Sequence, residues 1–339
     1  MCQIVDMRSS IRRFYATFAV AVAVSGAALA QVHGGAEWDP MARQFGGVQG
    51  GGTASPSVPR DTSLDQLNKF LSASQLPALD RSVYLSIRAF QLSRLGREAD
   101  SQKDIVEMAK VRPNDWQLVL SSTMPRLGGG GDRAAALRTL DYGLQRKPND
   151  PWLMIAEAQL YMQLADFSRA LGMLDSVVGS STGLPDRRSA LYFRGHANFN
   201  LGNFQAAAND FEGALVGTNT VKARLAPLLY RYAAQVHTRQ DARGLLTKEL
   251  GNENLYEWPG PIAKFLIGKL PAGELEVAAE SDETAKRSNG KCPAAFFVGM
   301  DAVRRGDKQR AREQFQLAQT RCPTVSELNW AASSELKRL

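Results

Sequence analysis

The sequence predicts an all-α fold, a right-handed superhelical solenoid of antiparallel helix hairpins closed by a C-terminal capping helix. Three observations predict it. Small, large and turn-forming residues recur at matching offsets in stretches of about 34 residues, the mark of a repeat array. The turn pairs Gly202-Asn203 and Gly306-Asp307 stand at the same place within their stretches. Prolines such as Pro148 and Pro323 close a stretch, where the missing N–H and the restriction on the preceding residue end a helix.

The 339 residues begin with a segment outside the array. Arg8, Arg12 and Arg13 precede the apolar run FYATFAVAVAVSGAALA, which ends in the small-x-small triplet Ala28-Leu29-Ala30. This is the pattern of a cleaved secretory signal over residues 1–30, and it predicts export to the periplasm. No cysteine follows the cleavage triplet, so the residues offer no lipid anchor there. Cleavage removes Cys2, three arginines and one aspartate, and the net charge falls from +7 to +5. A surplus of that size governs solubility and attraction to acidic surfaces. No Lys/Arg block interleaved with aromatics points to nucleic acid. Residues 31–61 are rich in Gly, Ser and Pro and read as a flexible tether, in which Trp38 and Phe45 are candidates for a short docking motif.

The helical repeats are expected over residues 62–254. A loose unit from Ser82 supplies Gly96, Ile105, Met108 and Pro113. The unit from Gln117 supplies Ala136, Leu140, Gly143 and Pro148, with Pro125 and Gly128 to Gly131 cutting its first helix short. The unit from Pro151 gives Ala158, Tyr161, Ala170, Leu174 and Val177, and the unit from Arg188 gives Gly195, Gly202, Ala207, Phe211 and Ala214. Ala226 to Glu249 reads as a degenerate sixth. Small residues at the eighth and twentieth positions let paired helices approach, and the large residue at the twenty-fourth fills the space between them. These offsets resemble the tetratricopeptide repeat (TPR), whose hairpins hide their apolar faces only by stacking.

Residues 255–290 interrupt the period with an irregular Trp/Pro segment and short helices. Pro259 and Pro261 forbid one continuous helix, Pro261 suits the first turn of a new one, and Trp258 is expected to pack on the solenoid. Residues 291–339 form the last unit plus the capping helix. That unit places Gly299, Gly306, Ala311, Phe315, Ala318 and Pro323 at the repeat offsets counted from Cys292. Cys292 and Cys322 lie at the start of its first helix and the end of its second, which a hairpin sets side by side. In an oxidising compartment such a pair can form a disulfide, with two separate thiols as the alternative.

No cofactor, metal site or catalytic group is expected. His33 lies in the tether, and His196 and His237 fall on different units without a serine or carboxylate motif. Gly128 to Gly131 lacks the Lys-Ser/Thr of a phosphate cradle. The chain therefore reads as a binding protein, not an enzyme. First helices line the concave side of such a stack, and their inward positions give the candidate protein-binding groove: Trp152, Ile155, Gln159, Met162 and Gln163 in one unit. In the next they are Ser189, Tyr192, His196, Phe199 and Asn200. The expected occupant is an extended peptide or a helix. Periodicity alone does not separate groove from core at Tyr192 and Phe199.

The repeats, the interrupting YEWPGPIAKFLIGKL, the unit from Cys292 to Pro323 and the closing ELKRL together resemble the bacterial NlpI-like tetratricopeptide proteins. That group consists of envelope lipoproteins that form homodimers and bring peptidoglycan hydrolases to a processing protease. The resemblance implies an exported scaffold or adaptor of the cell envelope with protein partners such as envelope hydrolases or proteases. The missing lipid-bearing cysteine departs from the group and favours a soluble periplasmic form. A peptidoglycan-binding accessory protein and a structural subunit of an envelope export or assembly complex are the other readings.

Overall fold

The computed structural model describes residues 62–339 apart from 74, 96, 112–132, 181–182, 239 and 288. The expected signal segment, the tether, Gly96 and the Gly128 to Gly131 run lie outside the described residues. The described residues are helices joined by short turns, without a β-strand among them, and adjacent helices pair as antiparallel hairpins. This is the all-α helix-hairpin solenoid architecture that the period predicted. The chain divides into two compact units, one ending at Glu157 and the other running from Ala158 to Leu339.

The first unit holds α1 (Leu64–Leu71), α2 (Ala78–Arg94), α3 (Glu98–Val111), α4 (Arg133–Arg146) and the first half of α5 (Pro151–Gln163). Helix α1 starts at a capping box: the Ser63 side chain accepts from Gln66 N–H, and the Gln66 side chain accepts from Ser63 N–H. Helices α2 and α3 form the hairpin of the Ser82 unit around buried Leu85, Ala89, Leu92, Ile105 and Met108. Two ties cross it: Ser101 Oγ donates to Ala89 O at 2.5 Å, and the Arg88 guanidinium forks onto Asp104 at 2.6 and 2.8 Å.

The second unit continues with α6 (Phe167–Ser180), α7 (Leu184–Leu201), α8 (Phe204–Gly213), α9 (Val221–Val236) and α10 (Ala242–Leu250). Then come α11 (Gly260–Leu266), α12 (Ala272–Ser281), α13 (Glu283–Arg287), α14 (Lys291–Arg304), α15 (Lys308–Arg321) and α16 (Glu327–Arg338). The eighth and twenty-fourth positions meet as their sizes require. A Cβ added at Gly195 would stand 2.8 Å from the Phe211 ring, and one at Gly299 would stand 2.6 Å from the Phe315 ring. The fifteenth position turns each hairpin with a positive φ, at Gly202 (+85°) and Gly306 (+75°). In the Pro151 unit the same position is Ala165, held at φ 59°. A side chain there costs roughly 1–2 kcal/mol.

The degenerate sixth unit begins earlier than the sequence pattern suggested. Thr220 caps α9 by accepting from Ala223 N–H, so the helix is established before Pro227 and runs through it. In the interruption, Pro261 occupies the first turn of α11, and Trp258 is buried beside it. The Cα atoms of Cys292 and Cys322 are 4.8 Å apart, within disulfide reach, at the open end of the α14–α15 hairpin.

Candidate functional site

The inner face of the second unit is built from α7 and α9, and the chain's own C-terminal hairpin packs against it. Helix α14 packs on α9, while α16 packs on α7, α14 and α15. Phe199 of α7 meets Phe296 of α14 edge to face with ring centroids 6.5 Å apart, and Tyr230 of α9 meets Phe297 at 5.9 Å. Helix α16 adds polar ties: Ser334 Oγ donates to Asn200 Oδ1 at 2.8 Å, and Arg338 Nη2 donates to the Phe199 and Asn200 carbonyls at 2.9 and 2.7 Å. These carbonyls end α7, so a guanidinium fills the place where a helix C-terminus favours a cation.

The expected groove residues of α7 therefore sit inside. Ser189, Tyr192, His196, Phe199 and Asn200 are all buried, with His196 only 1% exposed. Gln159 and Met162 are buried as well, and Gln163 is half-buried. In the first unit Ile155 is buried and Trp152 half-buried. The structure brings Tyr192 and His196 together with Phe211 and Tyr230 in one aromatic cluster, with His196 4.3 Å from the Tyr230 ring and 4.7 Å from the Tyr192 ring. This face is core, not open groove, in the folded chain.

Electrostatics follow from that burial. Desolvation pushes the His196 pKa down to about 3, and its Nε2 meets no hydrogen-bond partner. Glu327, at the start of α16, is pushed up to about 7 by burial, opposed by a hydrogen bond from its own backbone N–H. Burial also raises Tyr230, with the Glu327 carboxylate adding to the rise and a hydrogen bond with Tyr192 opposing it. Near pH 6 the interior is thus electrically neutral at all three groups. Glu335 of α16 is buried as an ion pair, with Arg338 Nη1 at 2.7 Å. His237 Nε2 lies 3.0 Å from the same carboxylate without an aligned hydrogen bond, and its ring stacks on Phe204 at 3.9 Å.

The remaining buried carboxylates hold helices together. Asp210 takes the Arg194 fork and the Asn198 amide. Asp301 gathers Arg243, Arg304 and Arg305 at 2.9–3.2 Å, beneath the Tyr232 hydroxyl. Burial, reinforced by Asp301, pushes that hydroxyl up to about 12. No nucleophile stands against a base in these clusters. Among the described residues, no group of three or more His, Cys, Asp or Glu is placed to hold a metal ion.

One tie escaped sequence reasoning although its signal was present. Arg88 with Asp104, and Arg194 with Asp210, are both sixteen residues apart, at the seventh and twenty-third positions of their units. Equal spacing and equal geometry in two units mark a shared register.

Comparison with protein-family models matches residues 155–221 to a tetratricopeptide repeat model. The match covers α6, α7 and α8, and arrays of such hairpins form surfaces for protein partners. A tetratricopeptide repeat protein from Parabacteroides merdae ATCC 43184, known from its crystal structure, shares 19% identity; the likeness covers 75% of this chain and 99% of that one, with a TM-score of 0.43. The P58(IPK) TPR domain shares 16% identity over 81% of this chain and 83% of that one, with a TM-score of 0.27. No curated protein matches the chain. Among the described residues, no helix is long and apolar enough to cross a membrane.

Proposed function

We propose that the protein is an exported, periplasmic adaptor that holds protein partners for one another, envelope or peptidoglycan-processing enzymes among them. The observation that carries this reading is a stack of helix hairpins in which the buried carboxylates of Asp104, Asp210 and Asp301 are taken up by arginines of neighbouring helices. Such a platform contributes position, raising the effective concentration of one partner near another. The NlpI-like resemblance of residues 255–339 supports the envelope setting and suggests a homodimer. The Ala28-Leu29-Ala30 triplet supports export, and the placement of Cys292 and Cys322 supports a disulfide of the kind that an oxidising compartment permits.

Because the C-terminal hairpin fills the inner face, partners are expected on surfaces that remain open. Crosslinking in cells followed by mass spectrometry tests the adaptor reading. Recovery of a defined set of envelope proteins supports it. Recovery of peptidoglycan alone, surviving high salt with the purified protein, replaces it with direct glycan binding.

A further inference from the structure

The first unit contains an open groove that the repeat pattern did not announce. Helices α1, α2 and α3 enclose a cavity of about 660 Å³. Its floor is apolar, formed by Leu71, Leu85 and Val106, and its rims carry Arg81 on α2 and Lys103 and Lys110 on α3, with the Glu107 carboxylate between the two lysines. The two lysines are seven residues apart, two helical turns, so both face the same rim.

The charges divide by what they already hold. Arg88 and buried Asp104 satisfy one another, and Arg88 Nη1 also donates to Asn68 Oδ1 at 2.7 Å; this pair is a strut. Arg81 makes one bond, from Nη1 to the Leu71 carbonyl at 3.3 Å. Lys103 pairs with Asp100 at 3.1 Å and Lys110 with Glu107 at 3.8 Å, and the lysine side chains are 77% and 58% exposed. Exposed pairs of this kind contribute at most about 1 kcal/mol, so a partner's carboxylates can exchange for them. Across the lining, four cations face two carboxylates.

We propose that this groove docks an acidic, amphipathic segment of a partner protein, apolar side chains on the Leu71–Leu85–Val106 floor and carboxylates on the Arg81, Lys103 and Lys110 rims. The proposal rests on the adaptor reading and names the partner chemistry it needs. Charge complementarity selects an acidic occupant. Among the described residues, no aromatic side chain lines the groove to stack a base, which disfavours nucleic acid.

The test uses the full chain and a fluorescein-labelled twelve-residue peptide of alternating Glu and Leu, read by fluorescence anisotropy. The expected result is binding that weakens about tenfold in Lys103→Glu/Lys110→Glu, and again between about 50 and 300 mM salt. Lys308→Glu/Arg312→Glu on α15 is expected to bind as the parent does, because those exposed cations lie outside the groove. Arg81→Gln provides a third variant with no reversed charge and is expected to weaken binding in the same direction.

Equal loss in the α2–α3 and α15 variants, or no binding by the parent, overturns the proposal. So does transfer of the charge dependence to vesicles containing phosphatidylglycerol while the peptide stays unbound. If the parent captures proteins in cells yet ignores the peptide, the groove assignment falls and the adaptor reading stands. If the peptide binds but no protein is captured in cells, the adaptor reading falls instead.

Discussion

Replacing Gly299 by alanine separates close hairpin packing from ordinary helix propensity. The new Cβ would stand 2.6 Å from Cε1 and 2.8 Å from Cδ1 of Phe315, whereas carbon atoms settle at about 3.5–4.0 Å. Phe315 is fully buried, so its ring can yield only by pushing its own neighbours. Overpacking of this kind costs about 1–3 kcal/mol, and alanine returns about 1 kcal/mol over glycine inside a helix. The net expectation is a loss of up to about 2 kcal/mol, read as a lower urea midpoint than that of the control below. Gly172 on α6 is the control, because a Cβ there meets nothing within 4 Å and Gly172→Ala should stabilise by up to about 1 kcal/mol. Phe315→Leu combined with Gly299→Ala should recover part of the loss, with a coupling of about 1 kcal/mol. Equal stabilisation by Gly299→Ala and Gly172→Ala would refute the packing account of the repeat.

Glu327→Gln should be about 3 kcal/mol more stable than the parent at pH 8 and nearly equal to it at pH 4: the folded pKa of about 7 lies above the ordinary glutamate value of 4.5, so stability is lost as pH rises between them. His196 acts in the opposite sense, since a folded pKa of about 3 makes stability fall as pH drops below 6.5; a pH series of urea midpoints on the parent and on Glu327→Gln should show the two slopes cancelling between about pH 4.5 and 6.5. Cys292→Ala/Cys322→Ala, or dithiothreitol, should lower unfolding free energy by about 3–4 kcal/mol for a sequence separation of 30 residues, and an unchanged urea midpoint would mean that no bridge forms. Ala165→Gly should raise thermal stability by about 1 kcal/mol, because glycine relieves the φ of 59° at a turn where the other units carry glycine.

The fold was legible because the repeat's constraints are local. Gly195 against Phe211 and Gly299 against Phe315 are size rules at fixed spacing, and the turns at Gly202 and Gly306 are backbone rules, so both can be read from one chain. The sixth unit was placed from Ala226, whereas α9 starts at Val221 behind the Thr220 cap, because a degenerate unit keeps too few of the period's residues to fix its start. The inner face was not legible for a different reason. Position within a repeat tells which side of a helix Tyr192 or Asn200 occupies, but not what returns from 130 residues later to cover it. Ser334 and Arg338 make such contacts at Phe199 and Asn200, and the closing helix was read only as a cap. The α1–α3 groove depends on which charges pair across helices, which only coordinates supply.

The central claim is that partners bind surfaces left open while the C-terminal hairpin stays seated on α7. Asn200 and Ser334 touch across that seat, so Asn200→Cys/Ser334→Cys provides a lock, with closure confirmed by loss of free thiols. Crosslinked partners recovered from cells should be undiminished by the lock. Loss of those partners in the locked protein, with the fold intact, would show that the inner face must open and would contradict the account.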